Sequence, residues 1–172
     1  MRNPNFKTLL FCVSFASPFV VSFNGDSQIL SRVINSQLHN LNGKLHDWVV
    51  STPNQSPCNW ISITCEARNH TFISIDLSGF GISCGFSFEF CRIQTLRILS
   101  LADNNFNGSL SSQAFSSCIR LRKIDLSKNL FIGELPDFSS ENLEVLQLSN
   151  NNFSGDIPPT YWREPGLKPI QR

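Results

Sequence analysis

The 172-residue chain has room for roughly one domain. A hydrophobic share of 41%, a charged share of 16% and a formal net charge of +1 exclude a disordered polypeptide and give no electrostatic footprint for nucleic acid. Six cysteines point to an oxidising compartment, and the 15 phenylalanines require a structural explanation.

At the amino terminus Arg2 and Lys7 precede Thr8 to Phe23, a stretch without charge that contains Leu9-Leu10-Phe11-Cys12-Val13 and Phe19-Val20-Val21. With the small-residue pattern Val20-x-Ser22, this predicts a signal peptide over residues 1–22, cut between Ser22 and Phe23. The stretch is short for a membrane span and is interrupted by Pro18, so no direct span is expected. Without residues 1–22 the chain keeps twelve basic and thirteen acidic groups, a balance of −1, and nothing in it draws nucleic acid or anionic lipid.

Residues 23–68 are expected to form a capping module. Asp26 stands where a helix N-cap would stand, and Ile29, Leu30, Val33, Ile34 and Leu38 follow at helical spacing until Asn40, Asn42 and Gly43 end the run. Leu45 and Trp48 are apolar again, and Ser51 to Pro57 reads as a loop. Cys58 and Cys65 then flank a short alternating stretch, Trp60, Ile61 and Ile63. Zinc sites commonly use closer cysteine pairs with two further ligands, so a disulfide between Cys58 and Cys65 is the favoured reading in a secreted chain.

Over residues 69–160 the sequence repeats about four times. Ile75-x-Leu77, Leu99-x-Leu101, Ile124-x-Leu126 and Leu146-x-Leu148 are one feature, recurring at steps of 24, 25 and 22 residues. Three residues on stand Phe80, Asn104, Asn129 and Asn151; next come Ile82, Phe106, Phe131 and Phe153; then Cys84, Gly108, Gly133 and Gly155. This is the leucine-rich-repeat signature, which predicts an α/β solenoid with parallel strands on its concave face behind an amino-terminal helical cap. The leucines should point inward, the asparagines should satisfy backbone groups left open by the turn, and the phenylalanines should stack as an internal spine. Glycine permits the tight turn, and Pro136 and Pro158 fix an extended stretch after it.

Trp48, Pro57-Cys58-Asn59-Trp60 and Cys65, followed by these repeats, resemble the ectodomain start of plant leucine-rich-repeat receptor kinases. Phe23-Asn24-Gly25-Asp26, Ile29 to Val33, Ile75 to Gly79 and Phe90 to Ile93 are similar to the HAESA-like receptors. The resemblance implies a plasma-membrane receptor whose extracellular part binds a small secreted peptide hormone controlling organ shedding. The hormone would run along the inner face of many repeats, other leucine-rich-repeat proteins would serve as co-receptors, and a kinase would lie beyond a membrane helix. Ser62 stands where the family's cap usually has glycine, Cys84 occupies the glycine column, and the tail 161–172 abandons the pattern. That tail is read as a truncation, altered splice or frameshift, leaving a final coil prone to self-association. The expected function is peptide-hormone binding without catalysis. The alternatives are a complete small secreted protein that binds another protein, such as a wall-enzyme inhibitor or defence adaptor, and a non-functional product.

Glycosylation sequons begin at Asn54, Asn69, Asn107 and Asn152, with Asn69 the first choice because it sits in a polar turn. Concave positions between the leucines nominate Asp76, Ser100, Lys123, Asp125 and Gln147 as binding residues. Cys118 aligns with the inward column of Ile93 and reads as a small buried hydrophobe, while a Cys84–Cys91 pairing is weighed as a lesser alternative. Gly79-x-Gly81 falls short of a dinucleotide fingerprint, and His39, His46 and His70 share no catalytic or metal spacing. No catalytic residue, metal or cofactor is expected.

Overall fold

The computed structural model describes residues 25, 29–30, 32–33, 44–48, 56–68, 71–137 and 142–163. In chain order its strands are β1 (Ile63–Cys65), β2 (Phe72–Asp76), β3 (Ile98–Ser100), β4 (Asn107–Ser109), β5 (Lys123–Asp125), β6 (Leu130–Glu134), β7 (Val145–Gln147) and β8 (Asn152–Ser154). Helix α1 (Ser112–Phe115) lies between β4 and β5, and helix α2 (Thr160–Arg163) follows β8. The strands make two sheets. One runs β1-β2-β3-β5-β7 along the concave face; the other runs β4-β6-β8.

The repeat columns set the register. Ile75 pairs with Leu99, Leu99 with Ile124 and Ile124 with Leu146, all in parallel, so each coil lies on the last without slippage. Because alternate strand residues face opposite ways, Ile75, Leu77, Leu99, Leu101, Ile124, Leu126, Leu146 and Leu148 all enter one continuous core.

The asparagine column joins successive coils. Asn104 Nδ2 donates to the Leu77 carbonyl of the preceding coil at 2.8 Å and to Leu101 and Ala102 of its own, while its Oδ1 accepts from Ile82 N at 2.9 Å. Asn129 and Asn151 repeat this arrangement one and two coils later. Each asparagine therefore serves the coil before its own. The first repeat has no such coil before it and carries Phe80 in that column; the Phe80 carbonyl accepts instead from Lys44 Nζ at 3.2 Å. The residue just ahead of each asparagine is left-handed, at Asp103, Lys128 and Asn150, and Gly79 takes that place in the first repeat.

Inside the second sheet the phenylalanine spine forms. Phe106 stacks on Phe131 at 6.2 Å and Phe131 on Phe153 at 6.3 Å, both pairs with ring planes 12° apart. In a second aromatic cluster Phe86, Phe88 and Phe115 meet with centroids 4.8–5.3 Å apart. Together they hold six of the fifteen phenylalanines. Gly108, Gly133 and Gly155 adopt φ of +84°, +84° and +79°, a region closed to most side chains. Where Cys84 replaces glycine no strand forms; the first coil meets the second sheet through an isolated bridge between Gly85 and Asn107, with Asn107 N donating to Cys84 O at 3.0 Å.

At the amino end β1 runs antiparallel to β2 and covers the edge of the long sheet. The disulfide Cys58–Cys65, with Cα atoms 5.5 Å apart, closes the loop behind it. Trp48 stacks on Trp60 at 5.8 Å, Trp48 Nε1 donates to Ile61 O at 2.7 Å, and Ile61 N donates to Asp47 Oδ2 at 2.6 Å. Ile29, Leu30, Arg32 and Val33 are helical, with Leu30 and Val33 buried. The rest of the expected cap helix and the expected signal peptide lie outside the described residues.

One sequence expectation is overturned. Cys118 is buried but is not a simple hydrophobe: it forms a disulfide with Cys91, 27 residues away. The lesser alternative, a Cys84–Cys91 bond, does not form, and Cys84 lies buried outside both disulfides.

Candidate binding face

The solvent face of the long sheet carries two in-register rows. Asp76 pairs with Ser100, Ser100 with Asp125 and Asp125 with Gln147, which sets four of the five nominated residues side by side on successive strands. The adjacent row holds Ser74, Ile98, Lys123 and Val145, with Lys123 as its cation. Parallel strands about 4.8 Å apart make each row a ladder, with one side chain offered per coil.

Local hydrogen bonds fix three of these side chains, Asp76, Ser100 and Asp125. Asp125 Oδ1 accepts from Ser127 Oγ at 2.6 Å and Ser127 N at 3.1 Å, and Asp76 Oδ1 accepts from Ser78 N at 3.0 Å. The hydroxyls of Ser78 and Ser100 lie 2.7 Å apart across neighbouring strands. Asp76 is exposed and the other nominated residues are half-buried. Ile98, 37% exposed beside Lys123, is the more exposed of the two apolar residues on the face, the other being half-buried Val145. The result is a mixed surface with carboxylates, hydroxyls, one amide, one ammonium and the aliphatic side chains of Ile98 and Val145. Such a surface can hydrogen-bond an extended chain laid across the strands.

Among the described residues no three His, Cys, Asp or Glu side chains stand together as a metal site, and no helix is long and apolar enough to cross a membrane. His46 is exposed; His39 and His70 lie outside the described residues. Of the sequons, Asn107 on β4 and Asn152 on β8 are exposed, and Asn54 and Asn69 lie outside the described residues. The second sheet was not foreseen. Its signal was available in the alternation of Asn107-Gly108-Ser109, Leu130 to Glu134 and Asn152-Phe153-Ser154 just after the asparagine column.

Stacked parallel coils, an asparagine ladder and a phenylalanine spine define a leucine-rich-repeat solenoid, and the Leucine Rich Repeat family model matches residues 142–163. The chain is a leucine-rich-repeat protein whose sequence and fold match the ectodomains of plant leucine-rich-repeat receptor kinases. It is 36% identical over 143 residues to receptor-like protein kinase 7 of Arabidopsis thaliana, covering 83% of this chain and 14% of that protein. It is 35% identical to receptor-like protein kinase 5 of the same plant, covering 89% of this chain and 15% of the relative. The crystal structure of the Arabidopsis receptor kinase HAESA in complex with the peptide hormone IDA and the co-receptor SERK1 superimposes with a TM-score of 0.74 at 33% identity. That match covers 86% of this chain and 25% of the HAESA chain. The chain thus spans about one seventh of the curated relatives it matches.

Proposed function

We propose that this chain contributes the first part of a peptide-recognition groove on the extracellular side of the plasma membrane, binding a small secreted peptide hormone along the row Asp76, Ser100, Asp125 and Gln147. The observation that carries this reading is the unbroken register of that row across four parallel strands. A ladder of polar side chains at strand spacing matches the needs of an extended peptide, whose own backbone donors and acceptors must be satisfied once they leave water. The likeness to HAESA, solved with a peptide hormone and a co-receptor, supports the same reading, as does a fold held by two disulfides, which persist outside the cytosol. Another leucine-rich-repeat protein is the proposed second partner.

Four strands at about 4.8 Å reach across only four or five extended peptide residues, so affinity is weak, on the order of micromolar or poorer. The test is calorimetric titration of the secreted chain with synthetic IDA-type peptides, beside the variants Asp125→Arg and Gln147→Ala. Saturable binding that is at least tenfold weaker in either variant is the expected result. The reading fails if no peptide binds at millimolar concentration, or if both variants bind like the parent.

A further inference from the structure

The outer face of the second sheet joins two features that peptide binding does not use. Leu130 and Ile132 project from β6, its central strand, and are 48% and 52% exposed. Strands β4 and β8, on either side of β6, each begin with the asparagine of a sequon, Asn107-Gly108-Ser109 and Asn152-Phe153-Ser154. Register brings these features together: Asn107 lies opposite Leu130, and Ile132 lies between Ser109 on one side and Asn152 on the other.

Strand geometry also suits both sequons chemically. Positions i and i+2 of a strand share a face, so the amide of Asn107 and the hydroxyl of Ser109 both point to solvent, as do those of Asn152 and Ser154. The intervening Gly108 has no side chain, and Phe153 turns into the spine. Glycans on the two asparagines would stand on opposite sides of the aliphatic pair.

We propose that Asn107 and Asn152 are both N-glycosylated and that their two glycans screen Leu130 and Ile132, making this sheet a protected, non-binding side of the solenoid. In each transfer the asparagine Nδ2 bonds to C1 of an oligosaccharide carried on a polyprenyl diphosphate. The bond from C1 to the diphosphate oxygen breaks, the amide loses one proton, and polyprenyl diphosphate leaves without any redox change. An aliphatic pair on the central strand of a small sheet is a site for unwanted association, and a hydrated glycan on each flank blocks it. This inference does not depend on peptide binding at the opposite face.

The test begins with the full chain secreted from a eukaryotic cell behind a borrowed leader. Release with peptide N-glycosidase in heavy-oxygen water and peptide mapping should find both asparagines converted in most molecules; recovery of either one unmodified from folded chain overturns the proposal at that site. The folded, glycosylated chain is then compared with the same chain trimmed natively. Trimming should raise the fluorescence of a hydrophobic-surface dye severalfold, and Leu130→Ser with Ile132→Ser should cancel that rise. Equal dye signals before and after trimming overturn the screening role. Because trimming acts on already folded protein, the comparison stands even if Asn107→Gln and Asn152→Gln block secretion.

Discussion

Asn129 Nδ2 donates to the carbonyl of Leu101, 28 residues earlier, at 2.9 Å, and through this bond the third coil completes the hydrogen bonding of the second. The same side chain donates to Leu126 and Ser127 and accepts from Phe106 N, so one buried amide serves four backbone groups. Asn129→Ala should therefore destabilise the chain by about 3 kcal/mol, since buried polar groups without partners cost roughly 1–3 kcal/mol each and water enters only in part. Exposed Asn105→Ala should change stability by less than about 0.5 kcal/mol. Urea unfolding of the two variants checks both values, and equal midpoints would show that the ladder contributes little.

The Cys91–Cys118 bond ties the first coil to the second beside the Phe86, Phe88 and Phe115 cluster. A closed loop of this size removes unfolded-state entropy worth roughly 3–4 kcal/mol. Replacing both cysteines by alanine should lower stability by about that amount while leaving the Cys58–Cys65 bond in place. Non-reducing peptide mapping of the parent should recover 58 with 65 and 91 with 118; a fragment joining 84 to 91 would contradict this connectivity.

Ser62 adopts φ of +66°, a left-handed conformation that a serine holds only under steric strain. Its position also explains why glycine is the usual residue there in caps of the resembled type. Ser62→Gly should stabilise the fold by roughly 0.5 kcal/mol, the relief of strain exceeding the added freedom of the unfolded chain. Thermal melting of the variant checks the sign, and a lower melting temperature would refute it.

Tyr161, the chain's single tyrosine, is buried on α2 and donates its hydroxyl to Pro136 O at 2.7 Å. Burial first, and the Asp137 carboxylate second, hold its phenol well above the ordinary value of 10.0. The fold thus favours the neutral form. Its contribution to stability is complete below pH about 10 and is lost as the pH rises further, where the unfolded chain ionises first. Tyrosinate absorbance should stay absent near pH 10 and appear only together with unfolding; an ordinary titration in the folded chain would contradict the burial. Tyr161→Phe should remove this alkaline sensitivity.

The solenoid and its register were legible because each column has one physical duty per coil, and a recurring duty leaves a recurring residue. Ile75, Leu99, Ile124 and Leu146 are aligned in the sequence and bonded in the sheet. The Cys91–Cys118 bond was not legible, because column alignment sets Cys118 opposite Ile93. That alignment holds in the fold, with Ile93 N bonded to Phe90 O and Cys118 N to Phe115 O, and Cys91 meets Cys118 from the 3-10 turn Phe88–Arg92, whose side-chain directions the repeat columns do not give. The binding face lies between these cases. Period-two alternation revealed which side chains face outward, while the hydrogen bonds that orient Asp125 and Ser100 arise only from folded geometry.

Amide hydrogen exchange of the secreted chain with and without a bound IDA-type peptide tests the proposed groove most directly. The account predicts slower exchange on peptide addition in residues 74–78, 98–102, 123–127 and 145–149, with no change in β4, β6 and β8. Protection confined to those three strands, or to neither sheet, would contradict it.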